Sequence, residues 1–178
     1  MFTFTNPDKN VAELHLQGTE KVVVFGSGAG GHSFALLRAL QHGGTVIAVD
    51  VRADMLAKIQ RDAQQLHDGR FKTKHADYQR MGGTQLMDNS VDVVVIPNTL
   101  FSAEQKEEML AEAFRVTKQG GKLLLVDWAE SFNGMGPQQE YLVSIEDARA
   151  LAEQVGFSFK RDFRAGAHHY GLVCKKGV

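Results

Sequence analysis

The stretch KVVVFGSGAGGHSFALLRAL, residues 21–40, decides the fold. A β-branched apolar run at residues 21–25 leads directly into the glycine-rich turn at residues 26–31. A segment with helical spacing follows, in which Phe34, Leu37 and Leu40 recur. Open α/β sheets bind ligands at the carboxyl ends of their strands, and glycines there let the backbone approach a ligand closely. The stretch therefore predicts a strand, a ligand-binding turn and a helix, whose first amides favour an anionic group.

Further short apolar runs alternate with helix-period segments along the rest of the chain. The other strand candidates are residues 45–50, 71–76, 91–97, 122–128, 157–163 and 170–176. This alternation predicts a Rossmann-like three-layer α/β sandwich with a mostly parallel, seven-stranded sheet. Only six residues separate the last two runs, so we expect them to form an antiparallel hairpin. The runs at 45–50, 91–97 and 122–128 are almost continuously apolar, which predicts the sheet's centre.

Local signals also predict where the helices begin and end. An apolar stripe of Met55, Ile59, Ala63 and Leu66 indicates one helix. The pair Ser102 and Gln105 forms a capping-box pattern before the next helix, and Gly120-Gly121 is expected to end it. A further helix is expected from about Ser144 to Gly156.

The 178 residues fit a single domain, residues 1–178, because no linker or internal repeat divides them. The leader, residues 1–20, contains Phe2, Phe4, Pro7 and a short amphipathic piece before Gly18. Two interpretations stay open for this leader. It forms a lid over the ligand pocket, or it merely covers the sheet.

Composition restricts the function classes. Twenty Lys+Arg against 21 Asp+Glu give a formal charge of −1, without the positive field that nucleic-acid binding uses. We therefore expect a small-molecule substrate and no nucleic-acid partner. No run reaches the roughly 20 apolar residues of a membrane span, and MFTFTNPDKN has no secretory pattern, so we expect a cytoplasmic protein. The lone Cys174 and the absence of closely spaced ligands predict no metal site. The oligomeric state is left open.

Asp50 adds weight to the glycine turn because it ends the next predicted strand about 20 residues downstream. An acid at that place accepts hydrogen bonds from the ribose hydroxyls of an adenosine. Alternatively, Asp50 caps the following helix. The turn also satisfies GxGxxG, so the loop alone does not dismiss a nicotinamide cofactor. None of the three tyrosines has a lysine four residues on, however, and no Gly-Lys-Ser/Thr sequence occurs, which disfavours hydride chemistry and NTP hydrolysis.

The order of motifs resembles the class I S-adenosylmethionine-dependent methyltransferases from about residue 21 to the C-terminus. The matching segments are VVVFGSGAG, VIAVD with RADML, HADY, VDVVVIPNTLF and AFRVTKQGGKLLLVDW. The spacing is most similar to small-molecule enzymes of the quinone-biosynthesis C-methyltransferase type. The resemblance implies S-adenosylmethionine as the cofactor.

The resemblance also implies which residues bind this cofactor. Asp50 is in the ribose-binding position and Met55 in the apolar position that follows. Asp77 is implied at the adenine amino group, Tyr78 alongside the ring, and Asn98 near the transferred methyl. The complete implied set is Phe25, Gly26, Ser27, Gly28, Gly30, Asp50, Val51, Met55, Asp77, Tyr78 and Asn98.

One position departs from the family pattern. The family usually has an acid two residues before the first glycine, where it helps to fix the cofactor's amino group, whereas this chain has Val24. The departure implies weaker binding, compensation elsewhere, or a domain without activity.

The implied reaction is methyl transfer to a small-molecule acceptor by in-line displacement. Such a reaction mainly requires alignment of the two reactants and exclusion of water. Where the acceptor loses a proton, His32, His168 and His169 are candidate bases, and no catalytic residue is assigned. Two alternatives stay open: an NAD(P)-dependent oxidoreductase, and a non-catalytic module that binds an adenosyl cofactor.

Overall fold

The computed structural model describes residues 5–65 and 69–177. The strands are β1 Lys21–Phe25, β2 Thr45–Asp50, β3 Phe71–His75, β4 Val91–Pro97, β5 Thr117–Trp128, β6 Phe157–Arg164 and β7 His169–Lys176. The α-helices are α1 Pro7–Ala12, α2 Gly31–Ala39, α3 Ala53–Gln65, α4 Lys106–Val116 and α5 Ile145–Gln154. Short 3₁₀ turns cover Leu100–Ser102 and Gln139–Tyr141.

All seven strands form one sheet in the order β3-β2-β1-β4-β5-β7-β6. Strands β1 to β5 are parallel, and β7 pairs antiparallel with both β5 and β6. The predicted fold class is confirmed. The predicted centre was wrong in one respect, because β1 lies between β2 and β4 while β2 is only one strand from the edge. Strand β1 is as apolar and as buried as its neighbours. Apolar composition alone therefore did not show which strands lie at the centre of the sheet.

Helices cover both faces of the sheet, and alternate strand residues point into two separate cores. On β1, Val23 and Phe25 belong to the core beneath α4 and α5. Val22 and Val24 belong to the other core, beneath α1, α2 and α3. Strands β1, β2 and β4 are therefore buried on both sides, and the carboxyl ends of the parallel strands meet at one edge of the sheet.

The boundaries of α4 differ from those expected. Ser102 Oγ donates to the carbonyl oxygen of Thr99 at 3.0 Å, and α4 begins only after Gln105, without a side-chain cap. The extended backbone of Ala103 interrupts the helix between the two predicted capping residues. The capping-box prediction was therefore wrong.

The other end of α4 also lies earlier than predicted. The helix ends at Val116, and β5 starts at once and runs through Gly120 and Gly121. The β4–β5 register shifts across this stretch, so the two glycines belong to an irregularity within a strand. A Cβ on Gly121 would lie 2.8 Å from the carbonyl oxygen of Asp92. Gly121 permits close strand approach, Gly120 has φ +75°, and neither glycine ends the helix.

Helix α5 agrees with its prediction. The Ser144 side chain accepts from the amide of Asp147 at 3.0 Å, and Gly156 follows the helix with φ +111°. On α3, Ile59 and Ala63 are buried as predicted, while Leu66 lies outside the described residues.

The described part of the leader is packed against the body of the domain. Thr5 forms a bridge with Gly166 in the β6–β7 turn, and α1 packs on α2. Val11 and Leu14 are buried in the core beneath α2. Phe2 and Phe4 lie outside the described residues.

None of the helices within residues 5–65 and 69–177 is long and apolar enough to cross a membrane. The same residues contain no group of three or more His, Cys, Asp or Glu side chains placed to hold a metal ion.

Candidate functional site

A cavity of about 510 Å³ opens at the carboxyl ends of β1, β2 and β4. The glycine turn, the ends of β2 and β4, and the 3₁₀ turn Leu100–Ser102 form most of its wall. Thr5 and Pro7 of the leader add to the rim. The volume falls within the roughly 300–1,000 Å³ typical of small-molecule sites.

A larger groove of about 1000 Å³ lies on the outer surface beside α4 and α5. Two of its positively charged side chains already have partners in the protein. Lys176 donates to three oxygens, and Arg115 is paired with Glu112 and Asp88. Because open α/β sheets bind ligands at strand ends, we assign the site to the smaller cavity.

The glycine turn adopts the positive φ angles that its glycines permit. Gly26 has φ +72°, and a Cβ there would collide with the Thr99 side chain. Gly28 has φ +49°, and a Cβ there would meet nothing within 4 Å. The first glycine is therefore required by close packing, while the second leaves open space beside the cavity.

Asp50 connects the glycine turn to the end of β2. The residue is 3% exposed, and its side chain accepts from the amides of Arg52 at 3.0 Å and Gly28 at 3.2 Å. The Ser27 hydroxyl donates to the same carboxylate at 3.5 Å. The Arg52 amide precedes α3, which begins at Ala53, so among the described residues Asp50 accepts from no amide of that helix. A carboxylate has about four acceptor sites, so it can also accept from a ligand hydroxyl.

Tyr78 supplies an aromatic wall. Its ring stacks on Phe25 with centroids 5.8 Å apart and an interplanar angle of 21°. Burial and then the charge of Asp50 raise the pKa of Tyr78 to about 12, so the hydroxyl stays protonated. Phe25 is fully buried beneath this ring. Asp77 does not line the cavity, and it forms an ion pair with Arg80 at 3.3 Å.

Asn98 presents an unused acceptor at the end of β4. Its backbone has φ +50°, and its amide donates to the carbonyl oxygen of Val126 at 2.7 Å. The side-chain Oδ1 is buried and has no hydrogen-bond partner, although the residue lines the cavity. A buried acceptor without a donor costs about 1–3 kcal/mol. An unpartnered oxygen at this place fits a ligand that brings its own N–H or O–H donors.

The structure brings most of the predicted binding residues to one cavity. The predicted residues in its wall are Gly26, Ser27, Gly28, Asp50, Val51, Tyr78 and Asn98. Gly30 shapes the turn, Met55 is half-buried on α3, and neither lines the wall, as is also true of Phe25 and Asp77. The binding roles of all these residues remain predictions.

Only one of the three candidate bases reaches the cavity. His32 lines it, and burial and then neighbouring His169 lower the pKa of His32 to about 4. His169 is buried with its ring 4.1 Å from that of Trp128. His168 pairs with Glu130 at 2.7 Å, outside the cavity wall.

Several wall residues were missed from the sequence, among them Thr5, Thr99 and Phe101, whereas Pro7 belongs to the leader that one interpretation made a lid. No spacing rule identifies residues of the leader, which come close only through tertiary packing. Thr99 and Phe101 follow β4 directly, so the general rule on strand ends could have found them.

Asp127 fixes the turn that closes the cavity beside Asn98. It is 1% exposed and accepts from the amides of Trp128 at 2.8 Å and Phe101 at 3.1 Å. Burial raises the pKa of Asp127 to about 6. A neighbouring cavity of about 460 Å³ shares Phe101 and Ser102 with the first and adds Lys106 and Tyr141. The two cavities therefore adjoin at Phe101 and Ser102.

Comparison with known proteins agrees with this geometry. A family model described as a methyltransferase domain matches residues 23–125. The chain belongs to this family. The match includes the glycine turn, Asp50 and Asn98, so the methyltransferase family and its cofactor S-adenosylmethionine are confirmed as predicted.

Individual relatives are similar over different lengths. The chain is 29% identical to arsenite methyltransferase of Aquipseudomonas alcaligenes over 66% of this chain, but spans only 35% of that protein. It is 28% identical to demethylmenaquinone methyltransferase of Lactiplantibacillus plantarum, over 92% of this chain and 82% of that protein.

A solved S-adenosylmethionine-dependent methyltransferase from Aquifex aeolicus superposes with a TM-score of 0.86. Its sequence is 23% identical, and the match covers 97% of this methyltransferase and 90% of that chain. At this identity the superposition shows a shared fold and does not assign a methyl acceptor.

Proposed function

We propose that the protein transfers a methyl group from S-adenosylmethionine to a small-molecule acceptor. The observation that supports this most directly is the buried, unpartnered Oδ1 of Asn98 in the same cavity as the Asp50 carboxylate. Both acceptors lie beside a glycine turn at the ends of parallel strands. The adenosyl amino-acid cofactor has hydroxyl and ammonium donors toward its two ends, which complement these acceptors.

The cavity residues divide the binding task among them. Asp50 accepts from the ribose hydroxyls, while the Tyr78 ring borders the adenine. Asn98 faces the amino-acid end, beside the place of transfer. We propose the remaining predicted roles, those of Phe25, Gly30, Met55 and Asp77, as support for the turn and for the adenine end.

When bound, the cofactor supplies a methyl group on a positively charged sulfur. Asp50 and Asn98 would hold this cofactor so that an acceptor could displace the methyl group in line, with the electron pair of the carbon–sulfur bond left on sulfur. The chain's own contribution is alignment and exclusion of water, which together lower a barrier by up to about 7–11 kcal/mol. Phe101 and Pro7 in the cavity wall exclude water. We assign no described side chain as general base.

We propose that residues 1–178 act as one domain and that the leader borders the site. Thr5 and Pro7 at the cavity rim support this placement. A small-molecule acceptor and a cytoplasmic location remain predictions from composition. Neither alternative, the oxidoreductase or the non-catalytic binding module, has support in the family match.

A transfer assay tests the proposal. The protein is incubated with S-adenosylmethionine labelled at the methyl group and with pools of phenols, quinols, amines and arsenite. We expect label in one pool with the wild type and a loss of that signal in Asp50→Asn. Binding of S-adenosylhomocysteine without transfer to any pool would favour the non-catalytic module.

A further inference from the structure

We propose that His32 replaces the acid missing at position 24, accepting a hydrogen bond from the cofactor's ammonium group through Nδ1. Asn10 fixes the imidazole for this role. The inference rests on the proposed function, because it concerns how the same cavity holds the amino-acid end of S-adenosylmethionine.

The cavity lacks a carboxylate for the ammonium. Val24 is fully buried in an apolar core, with no group that accepts a hydrogen bond. Asp50 is the one acid in the described part of the cavity wall, and it already accepts from the amides of Gly28 and Arg52. An ammonium has three donors, so it needs other acceptors at this end.

His32 is well placed to provide one. It is the second residue of α2, directly after the glycine turn, and it lines the cavity. Helix α2 packs on the same core that contains Val24. The imidazole therefore lies on the side of the sheet toward which an acid at position 24 would point.

Asn10 determines which ring nitrogen of His32 bears the proton. With its side-chain nitrogen turned toward two carbonyl oxygens, Asn10 donates to Asn6 at 3.3 Å and to Ala165 at 3.0 Å. Its side-chain oxygen then accepts from Nε2 of His32 at 3.3 Å. The opposite orientation would place the amide oxygen against two carbonyl oxygens. Nε2 is thus the protonated nitrogen, and Nδ1 keeps its lone pair.

The environment keeps this lone pair available near neutral pH. Burial and neighbouring His169 hold the pKa of His32 near 4, so the ring stays uncharged. A neutral acceptor avoids repulsion of the ammonium. Together with the unpartnered Oδ1 of Asn98, Nδ1 gives the cavity two neutral acceptors in place of one carboxylate.

The same contact gives the leader a positioning role. Asn10 is 1% exposed and joins α1 to α2 and to the β6–β7 turn. Its effect on the cofactor passes through His32, so Asn10 is a positioning residue. This accounts for a buried asparagine in a short helix that otherwise packs through Val11.

The test compares two ligands by isothermal titration. S-adenosylhomocysteine has the amino-acid end, whereas 5′-methylthioadenosine has the same nucleoside without it. Asparagine places an oxygen near the position of Nδ1, and glutamine places its terminal group near Nε2. The variants are therefore His32→Asn, which keeps the proposed acceptor, and His32→Gln, which loses it. His42→Gln, at an exposed position, is the matched control.

We expect His32→Gln to weaken S-adenosylhomocysteine by about 10-fold or more, as for the loss of a bond to a charged group. Methylthioadenosine should bind all variants within about twofold, which also shows that the site is folded. His32→Asn should recover most of the loss, and Asn10→Ala should show a smaller loss confined to S-adenosylhomocysteine.

Two results would overturn the inference. One is an unchanged S-adenosylhomocysteine affinity in His32→Gln, and the other is an equal loss for both ligands. Failure of the wild type to bind either ligand would instead refute the proposed function. The two failures are therefore distinguishable.

Discussion

Substitution of Asp50 is the most specific test of how the cavity binds the adenosine part of the cofactor. Asp50→Asn keeps the shape of the side chain but removes its charge and one acceptor oxygen. In the structure that carboxylate accepts from two amides, at 3.0 Å and 3.2 Å, and from the Ser27 hydroxyl. In the variant, a ligand hydroxyl must therefore compete with these protein donors for a single oxygen.

The expected loss follows from the strength of such bonds. Hydrogen bonds to charged groups contribute about 1.5–3 kcal/mol, so the Kd for S-adenosylhomocysteine should rise about 10- to 100-fold. The free energy of unfolding should fall by about 1–3 kcal/mol because one turn amide loses its partner. Methylthioadenosine, which shares the ribose, should be weakened to the same extent.

Isothermal titration of both ligands checks this prediction. Asp54→Asn is the matched control, because Asp54 is exposed at the start of α3 and outside the cavity wall. A folded Asp50→Asn protein that binds both ligands within about twofold of the wild type would refute the ribose role.

Three further predictions concern stability. Gly26→Ala should lower the melting temperature more than Gly43→Ala, because both have positive φ but only Gly26 lacks room for a Cβ; equal losses would contradict the packing argument. Glu112→Gln should destabilise the fold by about 3 kcal/mol in urea unfolding, since its buried carboxylate accepts from two amides and an arginine, whereas exposed Glu108→Gln should not. The pKa of His32 is lowered from 6.5 to about 4, so its contribution to stability is lost as pH falls through that range. His32→Asn should therefore lose less stability than the wild type between about pH 7 and pH 5, and identical pH profiles would contradict a buried neutral imidazole.

Local sequence patterns were sufficient to predict the strand–turn–helix unit and the position of Asp50 at the end of a strand. Glycines in a turn and an acid at a strand end act within a few residues of their own elements, so spacing reveals them. Local patterns did not predict the order of the strands in the sheet, because β1 and β2 have similar apolar composition. Only the family resemblance relates the order of the strands in the sequence to their order in the sheet.

Contacts between distant segments account for what the sequence did not reveal. Asn10 and His32 are 22 residues apart and meet only because α1 packs on α2. The start of α4 depends on the extended backbone at Ala103, which overrides the capping pattern of Ser102 and Gln105. Gly120 and Gly121 have the composition of a helix stop, yet the register of β4 and β5 uses them inside a strand.

The identity of the cofactor is tested most directly by a thermal-shift comparison of S-adenosylhomocysteine, NAD and NADP with the wild-type protein. At about 100 times its Kd, a ligand adds about 2.7 kcal/mol, or about 5–10 °C in Tm for a domain of this size. We predict that shift for S-adenosylhomocysteine and none for the two nicotinamide cofactors. A clear shift with NAD or NADP and none with S-adenosylhomocysteine would contradict an adenosylmethionine site.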